Sequence, residues 1–195
     1  MQSLELWDWR RRVSDLYTTV RGDAGGEAAW RRWRTERDEL FATHPQSPLQ
    51  PGRRLAWFPY DPAWRLSGEI EPATVHNAQR LHTAEGMFDR LGTVRFTAPD
   101  GRPAALALWW LDAYAGGVFL PFRDATAGNE TYGGGRYLLD TAKGADLGHS
   151  GSRVTLDFNY AYHPSCAHDP KWSCPLAPEE NRLETAVRAG ERLAS

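Results

Sequence analysis

Apolar residues in the first fifty positions recur with helical spacing in two separate runs. In the first run they are Leu6, Trp9, Val13, Leu16, Tyr17 and Val20, followed by Gly22, Gly25 and Gly26. In the second run the positions are Trp30, Trp33, Arg37, Leu40 and Phe41, followed by His44-Pro45. Spacing of three and four residues predicts amphipathic helices, and glycine or proline ends them. We therefore expect two helices that cover another layer of the fold.

From residue 53 onward the pattern changes to short β-prone runs separated by proline, glycine and aspartate. The runs are 54–58, 64–70, 93–97, 104–111, 118–122, 135–139 and 154–160. Pro99-Asp100-Gly101 is typical of a hairpin turn between two of them. No crossover helix separates the runs, which favours antiparallel pairing. The prediction is a mainly β (α+β) fold: an antiparallel, closed or nearly closed β-barrel with two N-terminal covering helices and a Pro-rich C-terminal lid loop.

A chain of 195 residues with 41% hydrophobic residues is long enough to bury one sizeable core. We expect a single domain over 1–195, with a helical element at 1–50 and the barrel at 51–195. The lid loop is predicted at about 161–181, where four prolines stiffen the chain. Long ordered loops are often functional, so this loop is a candidate for covering a site.

Charge and terminal patterns exclude several classes of partner. The net charge of −2 provides no basic face for nucleic acid, and the arginine runs are interleaved with Trp, Asp and Glu as on a solvated helix. The first residues resemble no secretory signal, and no run has the length of a membrane span. We expect a cytoplasmic protein without nucleic-acid or membrane partners. Trp7, Trp9, Trp30 and Trp33 are core candidates or part of a homo-oligomer interface.

Candidate chemistry is concentrated in two polar blocks, at 121–136 and 157–181. In the first, three glycines at 133–135 lie between Arg123 and Arg136, and backbone N–H groups with guanidinium groups could hold an anion. The alternative is a structural loop in which Asp124 and Glu130 pair with those arginines. The glycines match no phosphate-loop or dinucleotide motif.

In the second block, β alternation would place Asp157 and Asn159 on one face and Tyr160 on the other. A polar face lining a barrel would desolvate Asp157 and raise its pKa towards acid/base use. In a half-exposed strand the same face would point into water.

His163, Cys166, His168 and Cys174 offer four ligand types that permit a tetrahedral zinc site, although their spacing matches no known zinc motif. For the two cysteines the alternatives are inert buried thiols, a reactive thiol and a reversible disulfide. The sequence names no cofactor.

These blocks resemble the bacterial and archaeal family catalogued as domain of unknown function 1684. The resemblance covers about residues 30 to 192. It rests on the motifs at 122–137, Asp157-Phe-Asn, Tyr162-His-Pro-Ser-Cys-Ala, Cys174-Pro-Leu, Glu180-Asn and Ala189-Gly-Glu191. It implies no activity. It implies that the following residues belong to one shared feature: Asp124, Thr126, Gly128, Glu130, Thr131, Tyr132, Arg136, Asp157, Asn159, Cys166, Cys174, Pro175, Glu180 and Asn181. The family usually has asparagine at the position of His163 and an aromatic residue at that of His168, so a metal site common to the family could not use them.

Three hypotheses follow for the function. The first is binding of a small polar or anionic molecule under the lid. Its candidate contacts are Arg123, Asp124, Thr126, Glu130, Thr131, Tyr132, Gly134, Arg136, Asn159, Tyr160, Glu180 and Asn181. The second is an enzyme with Asp157 or Glu130 as acid/base and Cys166 or Cys174 as nucleophile or metal ligand. The third is a structural role, in which the polar residues anchor the long loop and a partner surface carries the function.

Overall fold

The computed structural model describes residues 2–21, 25–74 and 79–194. Both predicted helices are present, as α1 (Gln2–Arg21) and α2 (Glu27–Thr43). Gly22, one of the glycines predicted to end α1, lies outside the described residues. Gly25 and Gly26, which precede α2, have φ angles of 81° and 85°, which favour glycine. Neither helix, nor any other in the described ranges, is long and apolar enough to cross a membrane.

In the ranges that the structure describes, ten strands follow the helices. They are β1 (Ala56–Trp57), β2 (Arg65–Pro72), β3 (Arg80–Thr83), β4 (Gly86–Thr97), β5 (Pro103–Asp112), β6 (Gly117–Phe122), β7 (Arg136–Asp140), β8 (His149–Ser150), β9 (Arg153–Asp157) and β10 (Glu191–Arg192). The predicted turn at Pro99-Asp100-Gly101 joins β4 to β5, where Thr97 pairs with Pro103.

The main sheet has eight strands and is antiparallel in every pairing among the described residues. Its path runs β7-β6-β5-β4-β2-β9-β8, and β3 adds to β4. The sheet curls into a half-barrel. The predicted mainly β architecture with two N-terminal helices is therefore confirmed. A separate two-stranded ribbon joins β1 to β10 and brings the C-terminus to the segment that follows α2.

Side-chain alternation divides the interior into two cores on opposite faces of the sheet. In β5, Leu106 and Leu108 belong to a core that also contains Phe122, Phe158 and the C-terminal segment. The next residues along, Ala107 and Trp109, belong to a second core under the two helices. Trp30 and Trp33 are buried in this second core, whereas Trp7 is 67% exposed. Since apolar side chains fill both faces, a polar site has to lie at the margins of the sheet.

The predicted strand at 154–160 is wrong in its second half. Strand β9 ends at Asp157, and residues Phe158–Tyr160 form a 3-10 turn instead. The Asp157 carboxylate accepts the Asn159 backbone N–H, as an N-cap does, and this bond bends the chain out of the strand. Asp157 and Asn159 therefore do not share a strand face, and both are fully buried.

The Pro-rich loop at 161–181 lies along the edge of the sheet beside β7. Tyr162 exchanges two backbone hydrogen bonds with Tyr137, and the Tyr137 hydroxyl donates to the Pro175 carbonyl at 2.6 Å. The Ala177 N–H donates to the Gly134 carbonyl. The loop thus protects an edge strand, which explains why so long a segment is ordered.

Candidate functional site

Arg136 and Asp124 form a buried ion pair at the centre of the first polar block. Their side chains are 0% and 1% exposed, and Arg136 Nη2 lies 3.2 Å from Asp124 Oδ1. The other hydrogens of Nη1 and Nη2 reach the carbonyls of Val187, Ala189 and Glu191, and Nε has no partner among the described residues. This network, which we call the Arg136 cluster, fastens the C-terminal segment to β7.

The second oxygen of Asp124 is also fully used. It accepts the Val187 N–H at 2.7 Å and the Thr126 hydroxyl at 2.8 Å, and Thr126 in turn contacts Thr131. Because most donors and acceptors of this pair are already hydrogen-bonded to the chain itself, few remain for a ligand. The geometry supports the structural alternative for these residues, and Arg136 lines none of the five cavities identified in the described part of the chain.

Two asparagines of the predicted site use their side-chain amides to hydrogen-bond the backbone of distant segments. Asn159 accepts from the Asp61 N–H and donates to the Asp61 carbonyl, at 2.8 and 2.9 Å. Asn181 donates to the carbonyls of Ala107 and Pro121 and accepts the Ala107 N–H. Both side chains therefore join distant segments of chain.

The raised pKa predicted for Asp157 has its cause in the structure, but the carboxylate faces no cavity. Burial raises the pKa of Asp157, and hydrogen bonds from Asn159 together with Arg65 at 3.4 Å oppose this shift. Tyr160 is also buried, with its ring against Trp33. Neither residue lines any of these five cavities.

The other predicted contacts lie on the surface. Arg123 pairs with Glu179, Glu130 with Arg188 and Glu180 with Arg90, at 2.6 to 2.8 Å. Gly134 is a close-packing position, since a Cβ there would lie 2.5 Å from the Tyr132 ring. The shared feature expected from the family resemblance is thus divided among several places and does not converge on one cavity.

The two cysteines lie beside Tyr132 and do not join the two histidines in one site. Both thiols are free and partly exposed. The Cys166 N–H donates to Cys174 Sγ at 3.3 Å, and Cys166 Sγ lies 3.7 Å from the Tyr132 hydroxyl. The four residues that were candidates for one tetrahedral zinc site are therefore separated into a thiol pair and a histidine pair.

His163 and His168 converge on Glu191, a residue that is 1% exposed at the start of β10. His163 Nδ1 lies 3.4 Å from Glu191 Oε1, and His168 Nε2 lies 3.1 Å from the same oxygen. Arg37 of α2 approaches the other oxygen at 3.5 Å, with its guanidinium between the rings of Phe41 and Tyr162. We call these four charged or titratable residues the Glu191 cluster.

The Glu191 cluster is incomplete as a hydrogen-bond network. Glu191 Oε1, His168 Nε2, Arg37 Nη2 and Arg37 Nε have no aligned partner among the described residues, although all are buried. Buried polar atoms without partners are costly and rare in native proteins. The Arg136 cluster leaves one such atom, Arg136 Nε, whereas this group leaves four and has more capacity for a bound molecule.

Electrostatics keep Glu191 ionised. Burial alone would raise the pKa of Glu191, but His163 and His168 outweigh it and hold that pKa well below its usual range. The two imidazoles lie 3.4 and 3.1 Å from Oε1, although Oε1 and His168 Nε2 have no fully aligned hydrogen-bond partner among the described residues. Burial lowers the pKa of His163. A carboxylate beside a neutral imidazole is thus the expected state at pH 7.

The nitrogen and oxygen atoms of His163, His168 and Glu191 lie within 4.8 Å of one another, close enough to consider a metal ion. The hydrogen bonding of His163 opposes this use. Its Nε2 accepts the Tyr132 N–H at 3.1 Å, so the proton of the neutral ring is on Nδ1, the atom that faces Glu191. A metal on Nδ1 would move that proton to Nε2, against the Tyr132 N–H. The cluster therefore fits hydrogen bonding better than metal coordination.

A cavity of about 170 Å³ opens beside the Glu191 cluster. His163, His168 and Glu191 line one side, and the segment after α2 lines the other. Arg53, Arg54 and Arg192 also line this cavity. None of the three pairs with a carboxylate in the parts of the chain that the structure describes, whereas most other arginines there do.

Larger cavities elsewhere lack this combination. One of about 360 Å³ between the helices is lined by Asp8 and Arg12, which pair with each other, and by His44, which contacts Asp8. Another, of about 290 Å³, contains Arg102, which pairs with Asp100. The cavity beside Glu191 is therefore the best candidate site, despite its smaller volume.

Several residues of this site were not among the sequence-based candidates. They are Arg37, Arg53, Arg54, Glu191 and Arg192. Two signals were present: Arg37 occupies an apolar position of the helical pattern, and Glu191 ends the motif Ala189-Gly-Glu191. A charge on a buried helical stripe needs a buried partner, which is the clue that Arg37 offered.

The fold and the buried clusters define an α+β protein in which an antiparallel half-barrel is fastened to its own C-terminal segment. The chain belongs to the family described as "Protein of unknown function (DUF1684)", whose model matches residues 53–192. It is also similar to an uncharacterised protein from Haloarcula marismortui, known from a solution NMR structure. That similarity has 35% identity and a TM-score of 0.61, and covers 85% of this chain and 93% of the other. A comparison with curated proteins gives no match.

Proposed function

We propose that this protein binds a small molecule with a carboxylate or phosphate group in the cavity beside Glu191. The observation that carries the proposal is the set of three arginines, Arg53, Arg54 and Arg192, that line one small cavity without carboxylate partners. Guanidinium groups bind planar or tetrahedral oxyanions through paired, charge-assisted hydrogen bonds. An anionic group of the ligand would supply the missing partner.

The opposite side of the cavity favours a second feature in the ligand. Glu191 Oε1 is an ionised, buried acceptor without an aligned donor. A purely anionic ligand would be repelled there, whereas a hydroxyl or ammonium group would donate to it. The ligand class is therefore a small acid that also carries a hydroxyl or amino group, such as a hydroxy acid or an amino acid.

The volume supports a small ligand. Pockets for drug-sized molecules have volumes of about 300–1,000 Å³, and this cavity has about 170 Å³. It suits a molecule of a few heavy atoms.

A matched ligand series tests both features. Acetate, glycolate and glycine share a carboxylate and differ in the neighbouring hydrogen, hydroxyl or ammonium group. We expect glycolate or glycine to raise the thermal midpoint at concentrations where acetate has a smaller effect, because only they can donate to Glu191. Inorganic phosphate tests whether the arginines accept a tetrahedral anion.

Two double variants separate a specific site from general charge. R53Q/R54Q removes two cavity arginines, and the control R95Q/R102Q removes the same charge from exposed ion pairs with Glu71 and Asp100. The first should abolish the ligand-induced shift and the second should preserve it. Equal shifts in both variants would reject the site.

A further inference from the structure

A second group with unused chemistry is the pair of cysteines in the Pro-rich loop. Cys166 and Cys174 are eight positions apart, and the Pro-rich loop folds back so that the two residues contact each other. The Cys166 N–H also points at Cys174 Sγ, at 3.3 Å. Both residues are partly exposed and unbridged. Because Cys174 Sγ already touches the backbone of Cys166, a local movement of the loop can bring the two sulfur atoms to bonding distance.

We propose that Cys166 and Cys174 are a redox-active thiol pair, which low-molecular-weight disulfides oxidise to an intramolecular disulfide. Inert structural thiols are normally buried in apolar surroundings. These two instead have polar neighbours, the Tyr132 hydroxyl at 3.7 Å from Cys166 Sγ and a backbone N–H at Cys174. Tyr132 contacts both this pair and the Glu191 cluster, but the thiol chemistry uses no atom of that cluster and does not depend on the anion site.

The surroundings of the two thiols determine which cysteine reacts first. Burial raises the pKa of Cys174 to about 11, and the N–H of Cys166 only partly opposes it. Cys174 therefore remains a thiol at neutral pH. Since the thiolate is the attacking species, Cys166 is the residue that reacts first and Cys174 is the one that resolves.

The reaction proceeds by two thiol–disulfide exchanges. The Cys166 thiolate attacks one sulfur of a disulfide RSSR, so a Cys166–SR bond forms, the S–S bond of the reagent breaks and one RS⁻ leaves. Cys174 then loses its proton and attacks Cys166 Sγ, which expels the second RS⁻. Overall the two protein thiols are oxidised by two electrons, the small disulfide is reduced, and the two protons appear on two molecules of RSH.

Oxidised glutathione is the probe for this reaction, with intact mass and free-thiol counting as the measurements. The wild-type protein should lose both free thiols and two hydrogens, without a lasting glutathione adduct. Cys174→Ser should accumulate a glutathione adduct on Cys166, because the resolving thiol is absent. Cys166→Ser should react more slowly than Cys174→Ser, by about tenfold or more, because the remaining thiol is rarely ionised.

Other outcomes would overturn the proposal. A wild-type protein that keeps two free thiols after the same treatment has no redox-active pair, and one that carries two glutathione adducts has two independent thiols. Thermal unfolding of each variant checks that it is folded. Tyr132→Phe, which leaves both thiols in place, should still form the disulfide, and its failure to do so would also contradict a pair defined by the two cysteines.

Discussion

Asp124 and Glu130 are acidic residues of the same short block, yet their surroundings differ completely. Asp124 is buried against Arg136 and three backbone or hydroxyl donors. Glu130 is paired with Arg188 at the surface, where its partner is 63% exposed. The spacing in the sequence cannot distinguish them, because burial depends on where the C-terminal segment lies. This difference leads to a direct test of the structural role of the Arg136 cluster.

Asp124→Asn should lower the free energy of unfolding by about 3–5 kcal/mol, because it leaves the Arg136 charge buried without a counter-ion. Glu130→Gln should change it by about 1 kcal/mol or less, as is usual for an exposed pair. Urea denaturation of both variants measures the difference. Similar small losses in the two would contradict a buried structural pair.

Stability should also respond to mild acid through His163. Its pKa is lowered in the folded protein by burial, whereas the unfolded chain has the ordinary value of about 6.5. Between these two pKa values the unfolded state binds the proton and the folded state does not. The free energy of unfolding should therefore fall as the pH is lowered from 7 to 5, by up to about 1.4 kcal/mol per pH unit.

His163→Asn removes this titrating group and should flatten that dependence. The exposed His149 provides the control, and His149→Asn should leave the slope unchanged. Denaturant midpoints at several pH values provide the comparison. A slope that is equally steep in His163→Asn and in the wild-type protein would mean that another group causes the acid sensitivity.

Among the elements of the fold, the glycine-rich turn before β7 acts by allowing close packing. Gly135 has a φ of 96°, and a Cβ there would lie 2.5 Å from the Phe122 carbonyl oxygen. A Cβ at Gly133 would have more room, since its nearest neighbour, Gly128 Cα, would be 3.8 Å away. The sequence indicated that three glycines permit a close approach, but not that the approaching partners are strand β6 and the Pro-rich loop.

Gly135→Ala should therefore destabilise the protein by more than about 1 kcal/mol, because both the backbone angle and the contact oppose a methyl group. Gly133→Ala should be close to neutral. We expect faster protease cleavage within residues 163–181 in the first variant, since the loop is hydrogen-bonded at Gly134. Equal cleavage rates in the two variants would argue that the glycine-rich turn does not hold the Pro-rich loop in place.

At the scale of the whole molecule, the fold class was predictable and the site was not. Helical and β periodicities are local, so α1, α2 and most strands could be read from short windows, as could the hairpin turn between β4 and β5. The 3-10 turn after Asp157 was missed because a side-chain cap overrides the alternation of the strand. The cavity was missed because it assembles residues from α2, the segment after it, the Pro-rich loop and β10, which only the tertiary fold brings together.

We propose that the cavity beside Glu191 binds a small acid. The most direct measurement is an NMR titration of ¹⁵N-labelled protein with glycolate. We expect shifts concentrated at residues 49–56, at His163 and His168, and at residues 191–194, with none in R53Q/R54Q. Shifts centred on Arg136 or Asp157, or a response that R53Q/R54Q retains in full, would contradict it.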